Sequence, residues 1–260
     1  MNHERLIQGD GTPESAWQAW LASGQIALGS MASFLNPNVR LVVIAPHPDD
    51  EVLACGGLMA MHLAQAGDIC LIAVTDGEAS HVASPLRHGH SLAATRCAER
   101  LAGLHQLGLK DSAVTRLALP DGLVAQHTLR LSLQLQRSLR PADVVVTTWR
   151  LDGHPDHDAT GLAASWACCA VGCCLIEAPV WMWHWATPAH LLVPWQRLQR
   201  FELTLQACDR KQAALSQHVS QLDESRQANG AVLGKAIVQR AQRPVEYFFT
   251  SEVQPHEAHS

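Results

Sequence analysis

The sequence predicts an α/β protein, a Rossmann-like three-layer sandwich built on a mainly parallel sheet. Short runs of branched apolar residues, helix-like stretches between them, and their regular alternation along 260 residues carry that prediction. The runs 40–46 (RLVVIAP), 69–75 (ICLIAVT) and 143–148 (DVVVTT) each hold consecutive branched apolar residues rather than an apolar–polar alternation. That is the pattern of strands covered on both faces. Parallel neighbours need a crossover of a dozen or more residues, and the stretches between these runs are long enough.

In chain order, a polar leader (about 1–12) lacks the basic-then-apolar order of a signal peptide. Thr12-Pro13-Glu14 then reads as a helix start: a hydroxyl cap, proline in the first turn and an acid near the positive end. Trp17, Trp20 and Leu21 recur at helical spacing, and Gly24 is the expected stop. The run 40–46 leads into HPDDE and a helix closed by Gly67. Residues 88–105, 124–139 and 157–172 read as helices, and 114–119 as a strand. Residues 175–185 read as extended and aromatic, with Trp181, Trp183 and Trp185 on one face. Core packing and sugar stacking are both open readings for them. Residues 196–222 read as one long amphipathic helix and 245–250 as a late strand, before a flexible tail at about 252–260. No internal repeat or low-complexity linker divides the chain, so a single domain over 1–260 is expected.

Composition excludes several classes. A formal net charge of −5 and the lack of any Lys/Arg block leave no electrostatic footprint for nucleic acid or an anionic membrane. The most apolar later stretch, 163–176, is too short to span a bilayer. A cytoplasmic location without a membrane span is therefore expected. The eight cysteines include no CxxC pair, which argues against a disulfide framework. In CCAVGCC, Cys169 and Cys173 fall on one helix face, but small thiols filling a packed helix explain the run more simply.

Two segments carry chemistry. His47-Pro48-Asp49-Asp50-Glu51 follows the first buried strand, and Asp152-Gly153-His154-Pro155-Asp156-His157-Asp158 follows the run 143–148. Ligands of open α/β sheets bind outside the carboxyl ends of the strands, and parallel strands bring both loops to one edge. Helix capping would account for one of Asp49 and Asp50, but not for His47 or Glu51. Two imidazoles and a carboxylate form a donor set suited to zinc with open positions. With His47 and Asp50 as ligands, Asp49 is left as the base that takes a proton from water. His154 can donate to an amide oxygen as it becomes anionic, with Asp156 holding His154 protonated.

PHPDDE followed by a distant GHPDH resembles the LmbE/PIG-L-like N-acetylglucosaminyl deacetylases, over about residues 41–249. The resemblance implies a Rossmann-like sandwich, a Zn2+ cofactor on His47, Asp50 and His157, and Asp49 as general base. It also implies His154 as oxyanion donor, tuned by Asp156, and an N-acyl amino sugar or glycoconjugate as substrate. Arg96 and Asp121 occupy positions resembling sugar-contacting residues. A surface ion pair of Arg96 with Glu99 and a turn role for Asp121 are the duller readings. Glu78, at another carboxyl end, lines the mouth or is a solvated loop acid. His218 and Gln221 match a family pattern near the C-terminal helix, with His218 read as packing or as support behind the site. Oligomeric state is open, a homo-oligomer included.

Other classes fit less well. Non-haem iron oxygenases share the two-His-one-carboxylate set but not the strand–helix alternation. A nucleotide-binding domain would carry a glycine-rich cradle where HPDDE stands. A non-catalytic binding protein would not need base, ligands and oxyanion donor together.

Overall fold

In the computed structural model, which describes residues 5–30, 36–80, 92–223 and 232–250, residues 5–12 of the polar leader pack onto the body of the protein. Arg5 pairs with Asp158, and Thr12 donates its backbone N–H to His184 and its hydroxyl to Ala186. Thr12 is thus spent on a tertiary contact and does not cap α1 (Glu14–Leu21), which starts without a side-chain cap. The chain continues through β1 (Ala27–Leu28), β2 (Leu41–Ala45), α2 (Asp50–Ala64), β3 (Ile69–Thr75), α3 (Leu92–Leu107), β4 (Val114–Leu119) and α4 (Thr128–Ser138). β5 (Val144–Thr148), α5 (Pro155–Val171), β6 (Cys174–Ala178), α6 (Met182–Trp185), β7 (Leu198–Glu202), α7 (Leu205–Leu215), α8 (Val219–Leu222), α9 (Lys235–Ala241) and β8 (Val245–Thr250) complete it.

The strands form one eight-stranded sheet in the order β1-β7-β8-β6-β5-β2-β3-β4. Its pairs are parallel except where β8 runs antiparallel to β6 and β7. The expected α/β class with a mainly parallel sheet is the class observed. β2 shows why this sheet carries helices on both faces. Its side chains alternate, and all five are buried. Leu41, Val43 and Ala45 join the core beneath α2, α3 and α7, while Val42 and Ile44 join the core beneath α4 and α5. The chain leaves β2 towards β3 and β4 on one side, and later passes to β5 and β6 on the other. The carboxyl ends of β2 and β5 therefore flank the crevice where strand order reverses.

Two stretches differ from the sequence reading. Residues 175–185 are not one extended run. β6 stops at Ala178 before Pro179, and Met182–Trp185 make a helical turn. Asp152 enforces the bend, its carboxylate accepting the N–H groups of Val180, Trp181 and Met182 at 2.9 Å each. Trp181, Trp183 and Trp185 consequently share no strand face. The expected long helix 196–222 is a strand, β7, followed by α7 and α8. Leu198 and Phe201, three apart, mimic helical spacing. In a strand they point to opposite faces, and each is buried in a different cluster. Cys173 likewise leaves the helix face of Cys169, because Gly172 ends α5 in the left-handed region. Residues 88–91 of the expected helix 88–105 and the tail 252–260 lie outside the described residues. Among the described residues, no helix is long and apolar enough to cross a membrane.

α2 is broken at Cys55 (φ −149°, ψ 22°), and the break is bridged by a buried ion pair. Lys211 donates to Leu53 O at 3.3 Å and to Glu246 at 2.7 Å. Glu246 in turn accepts the N–H groups of Gly57 and Leu58, each at 2.8 Å. A Cβ at Gly57 would stand 2.4 Å from Leu203 and 3.1 Å from Glu246, so the close approach requires glycine there. Lys211→Met strands the Glu246 carboxylate in the interior. In urea unfolding it is expected to lower stability by about 3–5 kcal/mol, the scale for one lost partner of a buried pair.

Candidate metal and catalytic centre

The first loop leaves β2 at Pro46, whose carbonyl accepts both the backbone N–H (3.0 Å) and the hydroxyl (2.8 Å) of Thr75 at the end of β3. His47 follows, and its backbone N–H donates to Asp50 Oδ2 at 3.0 Å. Asp49 sits at φ 131°, ψ −28°, a conformation that costs a non-glycine residue about 1–3 kcal/mol. The surroundings hold it there: Glu51 accepts its N–H, and Arg96 Nη2 reaches its Oδ2 at 3.1 Å. Arg96 also donates to Pro48 O and Gly77 O.

The second loop leaves β5 and turns into α5. His154 is the N-cap of that helix, its Nδ1 accepting the Asp156 N–H at 3.2 Å, and Pro155 occupies the first turn. Gly153 adopts φ 98°, and Trp185 Nε1 lies 2.8 Å from where a Cβ would stand. His157 is fully buried, and Asp152 Oδ2 accepts its Nδ1–H at 2.8 Å.

The loops meet on one oxygen. Asp50 Oδ2 is 3.1 Å from His47 Nδ1 and 3.1 Å from His157 Nε2. On its other side, His47 Nε2 is 3.2 Å from both Asp121 Oδ1 and Asp156 Oδ2. One nitrogen each of His47, His154 and His157 also lies within 4.8 Å of the others. The field strongly favours a cation. Burial alone would lower both imidazoles, but Asp121, Asp156 and Asp50 hold His47 well above its ordinary range. His157 is likewise raised, to about 9, by Asp50 and Asp152 against burial. Burial would lift Asp50, yet His157 and His47 keep it well below the usual carboxylate range. Asp49 behaves oppositely, with burial raising it to about 7 against the pull of Arg96. His154 is pushed down to about 3 by burial and then by His157 and His47, so its imidazole is neutral.

A pocket of about 320 Å³ opens onto these groups. Asp49, Arg96, Asp121, His154, Trp181 and Gln221 are among the residues that line it.

With two loops at a switch point converging on one carboxylate, comparison with known proteins becomes informative. The sequence pattern of the PIG-L family, described as GlcNAc-PI de-N-acetylase, matches residues 42–168, a span containing both loops. Residues 42–168 carry the PIG-L family pattern. Similar relatives include a protein of Mycolicibacterium gilvum named 1D-myo-inositol 2-acetamido-2-deoxy-alpha-D-glucopyranoside deacetylase. It is 30% identical over 45% of this chain and 50% of its own length. The chain spans between about a quarter and about half of the length of the curated relatives it matches. A conserved protein of Thermus thermophilus superposes with TM-score 0.57 and 25% identity, covering 81% of this chain and 92% of its own. An N,N'-diacetylchitobiose deacetylase of Pyrococcus horikoshii shares the fold, with TM-score 0.56 and 20% identity over 84% and 83%.

Within this scaffold the sequence-predicted residues separate into groups. His47, Asp49, Asp50, His154 and His157 come together as expected from the two motifs. Arg96 is buried and bonded to Asp49, not paired with Glu99, whose carboxylate instead accepts from Ser220. Asp156 is turned from the side chain of His154 towards His47 and the N–H groups of Gly122 and Val124, because its place in the first turn of α5 faces those loops. Glu78 is exposed and accepts the Asp121 N–H at 3.0 Å, shaping the loop from outside the pocket lining. Of the tryptophans, Trp181 lines the pocket beside the His154 ring, while Trp183 is core and Trp185 donates to Asp152 O. His218 is fully buried, its Nε2 3.1 Å from where a Cβ at Gly103 would stand, and neither ring nitrogen has a partner among the described residues.

Sequence reasoning missed Asp152, which fixes both His157 and the chain after β6. Its signal was an acid four residues past a buried strand and five residues before a motif histidine. Asp152→Ala leaves three backbone N–H groups buried without acceptors. It is expected to destabilise the protein by more than about 3 kcal/mol in urea unfolding, at about 1–3 kcal/mol per orphaned group. Asp158→Ala, which loses the partly exposed Arg5 pair and the acceptor of one part-buried N–H, that of Gly153, should cost less.

Proposed function

We propose that this chain is a zinc-dependent amide hydrolase that removes an N-acetyl group, or a related N-acyl group, from an amino sugar or its conjugate. The observation that carries this reading is the Asp50 oxygen set 3.1 Å from an imidazole nitrogen of each loop, in a pocket that also presents the Asp49 carboxylate. The match of residues 42–168 to the PIG-L pattern supports it, as do the deacetylase names of the relatives.

His47, Asp50 and His157 fit zinc. Two imidazoles and a carboxylate are a donor set that zinc favours, with positions left open for water and substrate. The Nε2 atom of His157 is buried and finds no well-aligned hydrogen-bond partner among the described residues, as a prepared ligand atom would. Zinc held there would lower the pKa of a contacting water from about 15.7 towards about 7.

The remaining work falls to the chain's own side chains. Asp49, lifted to about 7 by burial, takes the proton as water attacks the amide carbonyl and passes it to the departing amine. The acyl group leaves as a carboxylate and the sugar as an ammonium, both protons of the water ending on its nitrogen. Arg96 fixes Asp49 through Oδ2 and keeps its strained backbone in place. His154 carries its proton on Nε2, because Nδ1 accepts the Asp156 N–H. That neutral Nε2–H is a donor for the carbonyl oxygen as negative charge develops on it.

Purified protein is expected to hold about one zinc, following the three-ligand argument, and to release acetate from N-acetylglucosaminides. No bound metal and no hydrolysis across a panel of N-acyl sugars would overturn the reading. Asp49→Asn should keep its zinc and lose about 10²–10⁴-fold in kcat, the usual worth of a general base. His157→Ala should lose the zinc itself. Identical metal contents in the two variants would show the roles to be wrongly divided.

A further inference from the structure

The reaction just described uses the Nδ1 side of His47 and leaves Nε2 without a task. That nitrogen is 3.2 Å from Asp121 Oδ1 and 3.2 Å from Asp156 Oδ2. An ionised carboxylate is acceptor only, so either contact is a hydrogen bond only if Nε2 carries the proton. Both carboxylates are themselves anchored. Asp121 Oδ2 accepts the Ala79 N–H at 2.8 Å. Asp156 accepts the Gly122 N–H at 2.7 Å and the Val124 N–H at 3.1 Å. Their side chains are 7% and 0% exposed, so water screens neither from the ring.

We propose that Asp121 and Asp156 are positioning residues, a two-carboxylate clamp that keeps the proton on His47 Nε2 and frees the Nδ1 lone pair for the metal. This role presupposes the zinc site proposed above, and it differs from a substrate contact by Asp121 and from a pairing of Asp156 with His154. His157 offers the mirror arrangement, with Asp152 on its Nδ1 and Asp50 before its Nε2. The two imidazoles are thus presented through opposite nitrogens, each fixed by a carboxylate behind it. The same logic explains why asparagine is a stringent replacement. At position 121 one oxygen must still accept from Ala79, so the amide NH2 would face His47 Nε2. That favours a bare Nε2 and a protonated Nδ1, the wrong tautomer for binding metal through Nδ1.

The test reads zinc affinity without substrate, by competition with a chromophoric chelator. Asp121→Asn and Asp156→Asn are each expected to weaken zinc binding by about 10–100-fold, the usual effect of removing such outer partners. Zinc-saturated Asp121→Asn should keep its KM for an N-acetylglucosaminide within about twofold, since no substrate contact is removed. Wild-type zinc affinity with a raised KM in this variant would overturn the clamp and return Asp121 to the substrate. A second zinc per wild-type chain, absent from Asp121→Asn, would overturn it too, by making the pair ligands.

Nitrogen-15-edited NMR reads the proton directly and needs no variant to fold. A protected imidazole proton on His47 Nε2 is expected in the wild-type protein with or without metal. Should the wild type bind no zinc, the zinc reading falls while this resonance still decides the clamp. An Nε2 without a proton overturns it.

Discussion

One carboxylate oxygen organises the centre. Asp50 Oδ2 accepts the backbone N–H of His47, lies 3.1 Å from the ring of that residue, and lies 3.1 Å from the ring of His157. It therefore ties two loops that the chain separates by a whole crossover region. An unpaired carboxylate buried this deeply would cost several kcal/mol, so the two imidazoles must be present and correctly turned for Asp50 to be tolerated. Their orientation has the same requirement one layer out. Asp152 holds His157, and Asp121 with Asp156 faces the far side of His47. Each acid is in turn satisfied by backbone N–H groups at the carboxyl edge of the sheet. Apart from His157 Nε2, the ligand atom, the acids of this network are held from behind, and a network so anchored in a low-dielectric pocket can keep its geometry while chemistry takes place beside it.

How much of this the sequence could reveal depends on the range of each interaction. The strands 69–75, 114–119 and 245–250 were legible to the residue, because each is rich in β-branched, aromatic or aliphatic side chains between turn residues. The strand 114–119 is a largely exposed edge, whereas 69–75 is covered on both faces. The two histidine–aspartate loops were legible because each follows such a strand. β7 was not: Leu198 and Phe201 are spaced three apart, and only the two cores on opposite faces of the sheet distinguish strand from helix there. The fate of Arg96 was equally invisible. Its neighbour in sequence is Glu99, whereas its partner in space is an aspartate on another loop. Side-chain direction within a motif is also beyond spacing, which is why Asp156 could be placed near the centre but not assigned to His47 over His154.

The motif-bearing segment depends for its shape on chain outside it. The family pattern ends at residue 168, yet the break in α2 is held by Lys211 of α7 and Glu246 of β8. That break lies directly behind the turn carrying Asp49 and Asp50. Three buried ion pairs run along this side of the sheet among the described residues: Arg96 with Asp49, Arg100 with Glu51, and Lys211 with Glu246. Each joins α2 or its first turn to a later element, or joins two later elements across it. Pairs of this kind add little net stability over apolar packing, because both charges lose their hydration. Their consequence is specificity, since a register or tilt of α2 that separated any pair would leave a bare charge in the interior. The strained backbone of Asp49 is consistent with that account. A residue stays in such a conformation only where its surroundings over-determine it, and here a cation on α3, an acid on α2 and the bridged break all specify the same position.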